Sequence, residues 1–391
     1  MKITSGLILG SAALALLIPH AAKGQGADVI LGELSGTKVY ASYNGIAALT
    51  VSTTSCNAGN QVLNWKALPD NKHPVITMNM YRLLDDRLTQ IGQSWAKHGF
   101  VALQQNACGF GCQAHGGDGL GVGCSDPYGV GNNQGPNLGS RRLINPTTGG
   151  FDGAKAQHDL QSFQPTTPID HGLQVRESDL GNPGARYFIE GHYIAADDAA
   201  AGNGSNNVSH MEVSITRDAN GTLIITNTAP GPHPTVREVP SIRAWPYAEF
   251  STHSAQDDGR ITVAHKVTRI TRTKYRYEYA VYNMNSERGV QSFSIPVGNA
   301  LISNIGSSAV LSHGETIEND SWQSAAANGR VTWSTKTFQQ SENANAIRWG
   351  TTYNFWFDAE AEPTSADATL ARFKPGPGAA TISLNVRTPK G

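Results

Sequence analysis

Along most of the chain, hydrophobic and polar residues alternate with a period of two, the signature of strands with one buried face. The clearest case is the pair of segments Met211 to Thr216 and Thr222 to Thr228, which flank Asp218-Ala219-Asn220-Gly221. Asn-Gly between alternating hydrophobics is a strong hairpin signal. A second hairpin is predicted from Pro74 to Leu83, with a turn at Asp85-Asp86 and a return from Leu88 to Leu103. A helix from Met80 to Lys97 competes with it, but Gly92, the Asp pair and the β-branched residues favour strands. Short strands are also read in Asp28 to Thr54 and in Arg186 to Ile194, whereas Phe151 to Pro183 is polar and irregular.

Further on, Ile261 to Thr268 pairs with Lys274 to Asn283, where Tyr275, Tyr277, Tyr279 and Val281 share a face. Gln291 to Val297, Arg330 to Phe338, Thr351 to Phe357 and Ala379 to Val386 follow at sandwich-like spacing, with Tyr353, Phe355 and Phe357 on one face. No helical period of convincing length appears beyond the N-terminus. The pattern predicts an all-β protein of two antiparallel, jelly-roll-like β-sandwich domains with long loops.

The N-terminus breaks the pattern. Lys2 precedes an apolar run from Leu7 to Ile18, Pro19 ends it, and Ala22-Lys23-Gly24 offers small residues for cleavage. This is the layout of a secretory signal peptide over residues 1–24. The run is too short for a stable membrane anchor, and no second apolar stretch of spanning length follows. An exported protein, extracellular or periplasmic, with no membrane span is expected. A length of 391 residues suits two domains. The proline-rich break Ala229-Pro230-Gly231-Pro232-His233-Pro234 places their boundary near 235, giving domains 25–235 and 236–391. Losing Lys2 and Lys23 takes the formal charge from −1 to −3. No basic stripe exists to hold a phosphate backbone, so nucleic acid is not expected as a partner.

Export changes the meaning of the cysteines. Cys56, Cys108, Cys112 and Cys124 are even in number, and an oxidising compartment makes two disulfides the default. Three pairings are possible. Ring size favours Cys56 with Cys108 and Cys112 with Cys124, since Cys108 to Cys112 closes a very small ring. A thiolate metal site is the rival, but Cys-x3-Cys is not the usual zinc spacing. Three of these cysteines lie in a glycine-rich stretch from Asn106 to Gly153. Loops this long are usually functional or disordered, and cysteines argue for a pinned one.

Several short runs occur together: Gln90-Ile91-Gly92-Gln93-Ser94-Trp95, Lys97-His98-Gly99-Phe100, Gly123-Cys124-Ser125-Asp126-Pro127-Tyr128, and Arg348-Trp349-Gly350 with Tyr353-Asn354-Phe355. Their combination, over nearly the whole mature chain, resembles secreted proteins of environmental bacteria that have no assigned activity. The resemblance implies one recurrent exported unit and brings no catalytic residue or cofactor with it.

Candidate chemistry gathers near the pinned loop. Ser125, His98 and Asp126 could supply a nucleophile, a base and an orienting acid. Against this, Ser125 lacks the Gly-x-Ser-x-Gly elbow, and Ser-Asp-Pro-Tyr-Gly also reads as a turn. Histidines are scattered with no His-x-His or His-Glu-x-x-His spacing. Ligands such as His98 and His115 could still converge on copper or zinc. At the level of fold alone, paired sandwiches with scattered histidines resemble exported copper monooxygenases of the peptide-amidating type. Asp197, Asp198, Asn203, Asn206 and Asn207 crowd one loop and offer hard oxygen ligands for calcium, though Asp and Asn favour turns anyway. Trp245, Tyr247, Trp322 and Trp356 could form a sugar-stacking platform or belong to the core.

Two functions follow. One is a secreted binding or surface-interaction protein, for polysaccharide, with its ligand surface on loop 106–153. The alternative is an extracellular copper- or zinc-dependent oxidoreductase or hydrolase with its site near His98. The discriminating geometry is His98 meeting another histidine or Asp126 in a concave pocket.

Overall fold

Asp85 and Asp86, the turn expected between two alternating segments, both adopt positive φ, 49° and 66°. That is the backbone of a tight hairpin turn whose twist matches the strands it joins. A computed structural model describes residues 24–135, 137–162, 165–227 and 234–391. Residues 1–23 of the segment read as a signal peptide and Ala229 to His233 of the proline-rich break lie outside the described residues.

In chain order, the first strands are β1 (Val29–Tyr43), β2 (Ile46–Asn57), β3 (Leu63–Asn64), β4 (Val75–Leu84), β5 (Arg87–Gln93) and β6 (Lys97–His98). Then come β7 (Gly119–Leu120), β8 (Ser125–Tyr128), β9 (Leu173–Arg176), β10 (Arg186–Ile194), β11 (Val208–Arg217), β12 (Leu223–Asn227) and β13 (Thr235–Val236). All except β3 and β7 belong to one sheet with the path β1-β2-β9-β5-β4-β10-β11-β12. β1, at one edge, lies across β10, β11 and β12. The sheet thus folds over a core that includes Leu31, Leu49, Trp65, Met78, Leu173 and Ile189. The hairpin predicted around Asn220-Gly221 joins β11 to β12, with Arg217 opposite Leu223 and Gly221 at φ 82°.

The remaining strands are β14 (Glu249–Ala255), β15 (Gly259–Arg269), β16 (Tyr275–Asn283), β17 (Val290–Pro296) and β18 (Ile302–Ser308). They are followed by β19 (Gln323–Ala327), β20 (Arg330–Ser334), β21 (Thr351–Ala359), β22 (Pro363–Arg372) and β23 (Thr381–Pro389). They form two five-stranded sheets, β14-β15-β16-β21-β18 and β19-β20-β17-β22-β23. Tyr277, Tyr279, Phe355 and Phe357 from one sheet meet Phe293 and Trp333 from the other. The predicted aromatic faces are therefore core, and the architecture is all-β with sandwich packing throughout.

The two halves share a buried seam. Tyr81, Leu83 and Phe188 pack against Ala264, Ala280, Tyr282 and Trp245. Beside this apolar contact sits the fully buried Glu190. Its Oε1 accepts from Asn79 Nδ2 at 2.9 Å and the Tyr81 hydroxyl at 3.2 Å, and its Oε2 from the Ser241 amide at 2.7 Å. Asn79 also donates to the Gly350 carbonyl at 3.0 Å, and Gln90 Oε1 accepts from the Thr352 amide at 2.6 Å. Buried polar groups persist where each finds a partner, and here the partners come from both halves.

Three expectations are corrected. A helix, α1 (Gly153–Ser162), occupies part of the stretch read as irregular. Asp152 caps it, accepting from the Lys155 amide at 3.0 Å. A second short helix, α2 (Ala196–Ala200), carries Asp197 and Asp198 of the stretch read as a loop. The strand expected from Leu88 to Leu103 stops at Gln93, and only Lys97–His98 pairs again. Trp245 and Trp322 are buried, at 2% and 6% exposure, so they offer no sugar platform, whereas Tyr247 of the same set is 91% exposed. Trp356 faces the other half instead, with the Arg87 guanidinium 4.0 Å from its ring centre. No helix among the described residues is long and apolar enough to cross a membrane.

Candidate functional site: the disulfide-pinned loop

The ladder between β2 and β8 sets the loop's base, placing Cys56 opposite Ser125. Cys124 is thereby held beside β2, and the two bonds close as Cys56–Cys108 and Cys112–Cys124, the pairing that ring size favours. Formed disulfides fit an oxidising compartment. β1 makes room for the first bond by bulging between Leu31 and Glu33. The bulge residue is Gly32, and a Cβ there would overlap the sulfurs of both Cys56 and Cys108.

Side-chain amides then order the arm. Gln104 Oε1 accepts from the His115 and Gly121 amides at 3.1 and 3.0 Å, and its Nε2 donates to the Gly119 carbonyl at 2.8 Å. Asn106 Oδ1 accepts from the Gly111 amide at 3.0 Å. The Ala102 amide donates to Gly117, and the Gln113 amide to Val122, both at 2.9 Å. The glycine-rich stretch is thus a built structure with two different halves. Residues 113–118 are exposed, whereas Gly119 to Tyr128 run mostly through the core. Within 106–153, the expected ligand surface, residues 113–118 form an exposed outer arm, and the Phe100–Leu103 segment, outside that range, lies at its root. There Phe100, Val101 and Leu103 are 45%, 50% and 46% exposed, with Val62 nearby in the fold at 40%. Phe100 is braced from behind by Tyr128, the stacked rings 5.5 Å apart, and by the Lys97 ammonium 4.3 Å from its centre.

The sequence-predicted site residues separate. Ser125 is fully buried and strand-paired to Gln105, and its hydroxyl accepts from the Ala107 amide at 2.9 Å. Asp126 Oδ1 accepts from the Leu103 amide at 3.0 Å, and burial raises its carboxyl to about 6. His98 does not engage Ser125. It meets His73 instead, Nδ1 to Nε2 at 2.9 Å, and Phe151 presents its ring to both imidazoles at 5.0 Å. Burial holds His73 down at about 4 and His98 at about 3, so both are neutral at pH 7. His115 lies on the exposed arm, 4.0 Å from Asp118, away from this pair. None of the five prominent cavities among the described residues is lined by His98, Ser125 or Asp126. One half of the discriminating geometry, a second histidine, is met.

The Asp/Asn loop clamps the N-terminal strand. Asp198 accepts from the Val29 amide and from Asn207 Nδ2, both at 2.8 Å, and burial raises it to about 7. Asp197 accepts from the Asn64 amide at 2.7 Å. Asn203 donates to the Gln25 and Ala27 carbonyls, and Asn206 to Asp28. Among the described residues no group of three or more His, Cys, Asp or Glu could hold a metal ion.

His73 is a member of the pair that no local motif announces. The signal was in the hairpin: a turn at Asp85-Asp86 brings the chain back so that His98 pairs with Val75, two residues from His73. Arg141 lies in the glycine-rich stretch, where nothing in the local pattern marks it as a site residue. It is 7% exposed, with Nη2 donating to Met78 O and Asn79 Oδ1 at 3.0 Å.

No family model and no curated protein matches the sequence. Among solved structures, the chain is similar to the C-terminal domain of the Streptococcus pyogenes antigen I/II-family protein AspA. The identity is 10%, the match covers 92% of this chain and 100% of that one, and the TM-score is 0.20. A likeness that low carries no argument about function.

Proposed function

We propose that this is a secreted binding or surface-interaction protein that takes an extracellular polymer, a polysaccharide, on the outer arm of the disulfide-pinned loop. The observation that carries this reading is the exposure of Phe100, Val101 and Leu103 at the root of a cross-linked arm. Three large apolar side chains held at the surface by a fixed backbone need little further ordering when a ligand covers them. A braced aromatic ring is also the kind of face against which the C–H side of a sugar stacks. The signal peptide read in residues 1–24 supplies export.

The test is binding of the purified protein to a panel of immobilised polysaccharides, compared with Phe100→Ser and with Val101→Ser/Leu103→Ser. A loss of at least about tenfold with unchanged melting temperature is the expected outcome. Variants that bind as the wild type does would remove the loop from the function.

A copper- or zinc-dependent enzyme stays as a second reading because the His73–His98 pair offers two neutral imidazoles facing one another. Lys97 nearby works against a cation there. Metal analysis separates the readings: one equivalent of copper or zinc, lost in His98→Ala, would favour the enzyme.

A further inference from the structure

Away from the loop, a cleft opens along the seam between the two halves. Its small inner cavity, about 50 Å³, is lined by Arg141, Arg142, Arg288, Arg348 and Lys374, with Trp349 as an apolar wall. Only two carboxylates, Glu287 and Glu315, line the same space. Glu287 is paired with Lys374. Glu315 accepts from the Ser140 hydroxyl at 2.6 Å and the Arg142 amide at 3.4 Å. None of the four arginines has a carboxylate within ion-pair distance among the described residues.

Their donors are only partly used. Arg288 gives Nε and Nη1 to the carbonyls of Lys374, Pro377 and Ala379. Arg348 gives Nη2 to those of Glu342 and Ala344. Arg141 Nη1 and Arg348 Nε are buried and have no hydrogen-bond partner. Burial pulls Arg141 down only to about 10, so it stays charged at neutral pH. Four guanidinium groups and Lys374 against two carboxylates, in a chain whose net charge is negative, leave a local positive excess that attracts anions.

Size and shape narrow the ligand. A space of about 50 Å³ admits a carboxylate but not a sugar ring. Ser312 also lines a neighbouring groove of about 350 Å³, whose walls include Ile91, Val175, Val310, Gln90 and Gln174. That groove, which also carries the paired Arg82 and Asp179 and the basic Arg176, is of the size that takes a small ligand body. We propose that the seam is a binding site for a carboxylate-bearing ligand, with the carboxylate among Arg141, Arg142 and Arg348 and the ligand body in the adjoining groove. Guanidinium groups present planar, paired donors that match carboxylate geometry. The source is either an acidic sugar of a polymer or a free organic acid. This site is separate from the loop surface and does not rest on it.

Calorimetric titration of the purified protein at low salt tests this with three probes: trigalacturonate, succinate and the uncharged maltotriose. Binding of trigalacturonate alone assigns the site to uronate chains; comparable binding of succinate assigns it to free acids. Either binding should weaken at least about tenfold in Arg142→Gln and in Arg348→Gln, and weaken with added salt. Arg142 is exposed, so its variant should melt as the wild type does. Phe100→Ser should leave this binding unchanged. The proposal is overturned if neither acid binds at about 10 mM, well beyond the range of a built site. It is also overturned if maltotriose binds equally, if both arginine variants bind normally, or if Phe100→Ser abolishes the signal.

Discussion

Removing the Cys112–Cys124 bond should loosen the outer arm far more than it destabilises the molecule. The two bonds close loops of very different length, with sequence separations of 12 and 52. Loop-closure entropy then assigns about 3 kcal/mol to the short loop and about 4 kcal/mol to the long one. Those figures set the expected order in urea unfolding: Cys56→Ala/Cys108→Ala falls further than Cys112→Ala/Cys124→Ala, by about 1 kcal/mol. Local effects reverse the order. Once Cys112 is released, residues 113–118 keep the Gln113–Val122 and Ala102–Gly117 backbone bonds and the Gln104 amide contacts, with the Trp65–Asp118 and Gly119–Gly116 backbone bonds at their inner end. Each such bond is worth about 1 kcal/mol net, too little to hold an exposed arm closed. Hydrogen exchange should therefore rise sharply in 106–118 of the Cys112/Cys124 variant while the strands stay protected. Unchanged exchange in that arm would show that the cross-link does not hold it, and the fixed-surface reading would lose its support.

Other outcomes follow from single contacts. Gly32→Ala places a Cβ on the sulfurs of Cys56 and Cys108, so mass spectrometry should find both as free thiols; a normally bridged protein refutes the packing argument. Glu190→Ala strips the acceptor from Asn79, Tyr81 and the Ser241 amide, and should lower the urea midpoint by an amount equivalent to about 3 kcal/mol. For pH, His98 is held below its unfolded value of 6.5, so the neutral ring's contribution is present above 6.5 and lost as pH falls below it. His98→Gln removes that titration. Its stability gap to wild type should narrow by about 2 kcal/mol between pH 7 and pH 5, and a constant gap would show that the ring is not neutral in the fold.

What the sequence made legible follows one rule: features set by neighbours a few residues apart were readable. The turns at Asp85-Asp86 and Asn220-Gly221, the alternating aromatic faces of β16 and β21, and the disulfide pairing all depend on local period, turn chemistry or ring size. The helix Gly153–Ser162 escaped because its mean composition is polar and only Gly153 and Ala156 are buried, so the apolar stripe that announces a helix is nearly absent.

The candidate sites depend on contacts across tens or hundreds of residues, which no window reveals. His98 found His73 across a hairpin, whereas Ser125, only 27 positions on, was claimed by strand pairing with Gln105 and by the Ala107 amide. Arg141 in the glycine-rich stretch and Arg348 in Arg348-Trp349-Gly350 carry no local sign of a site, because their shared surroundings exist only once the halves dock. Docking explains both why the seam is buried and why its charge was invisible. Glu190, Asn79 and Gln90 take up backbone groups from the opposite half, which fixes the halves in one register and leaves the guanidinium groups of the neighbouring cleft without carboxylate partners. In a seam selected for stability alone, the two buried members, Arg141 and Arg288, would be expected to have acids within ion-pair distance, since unpaired buried charge is costly. Their retention without such partners is the physical reason to look for an anion from outside.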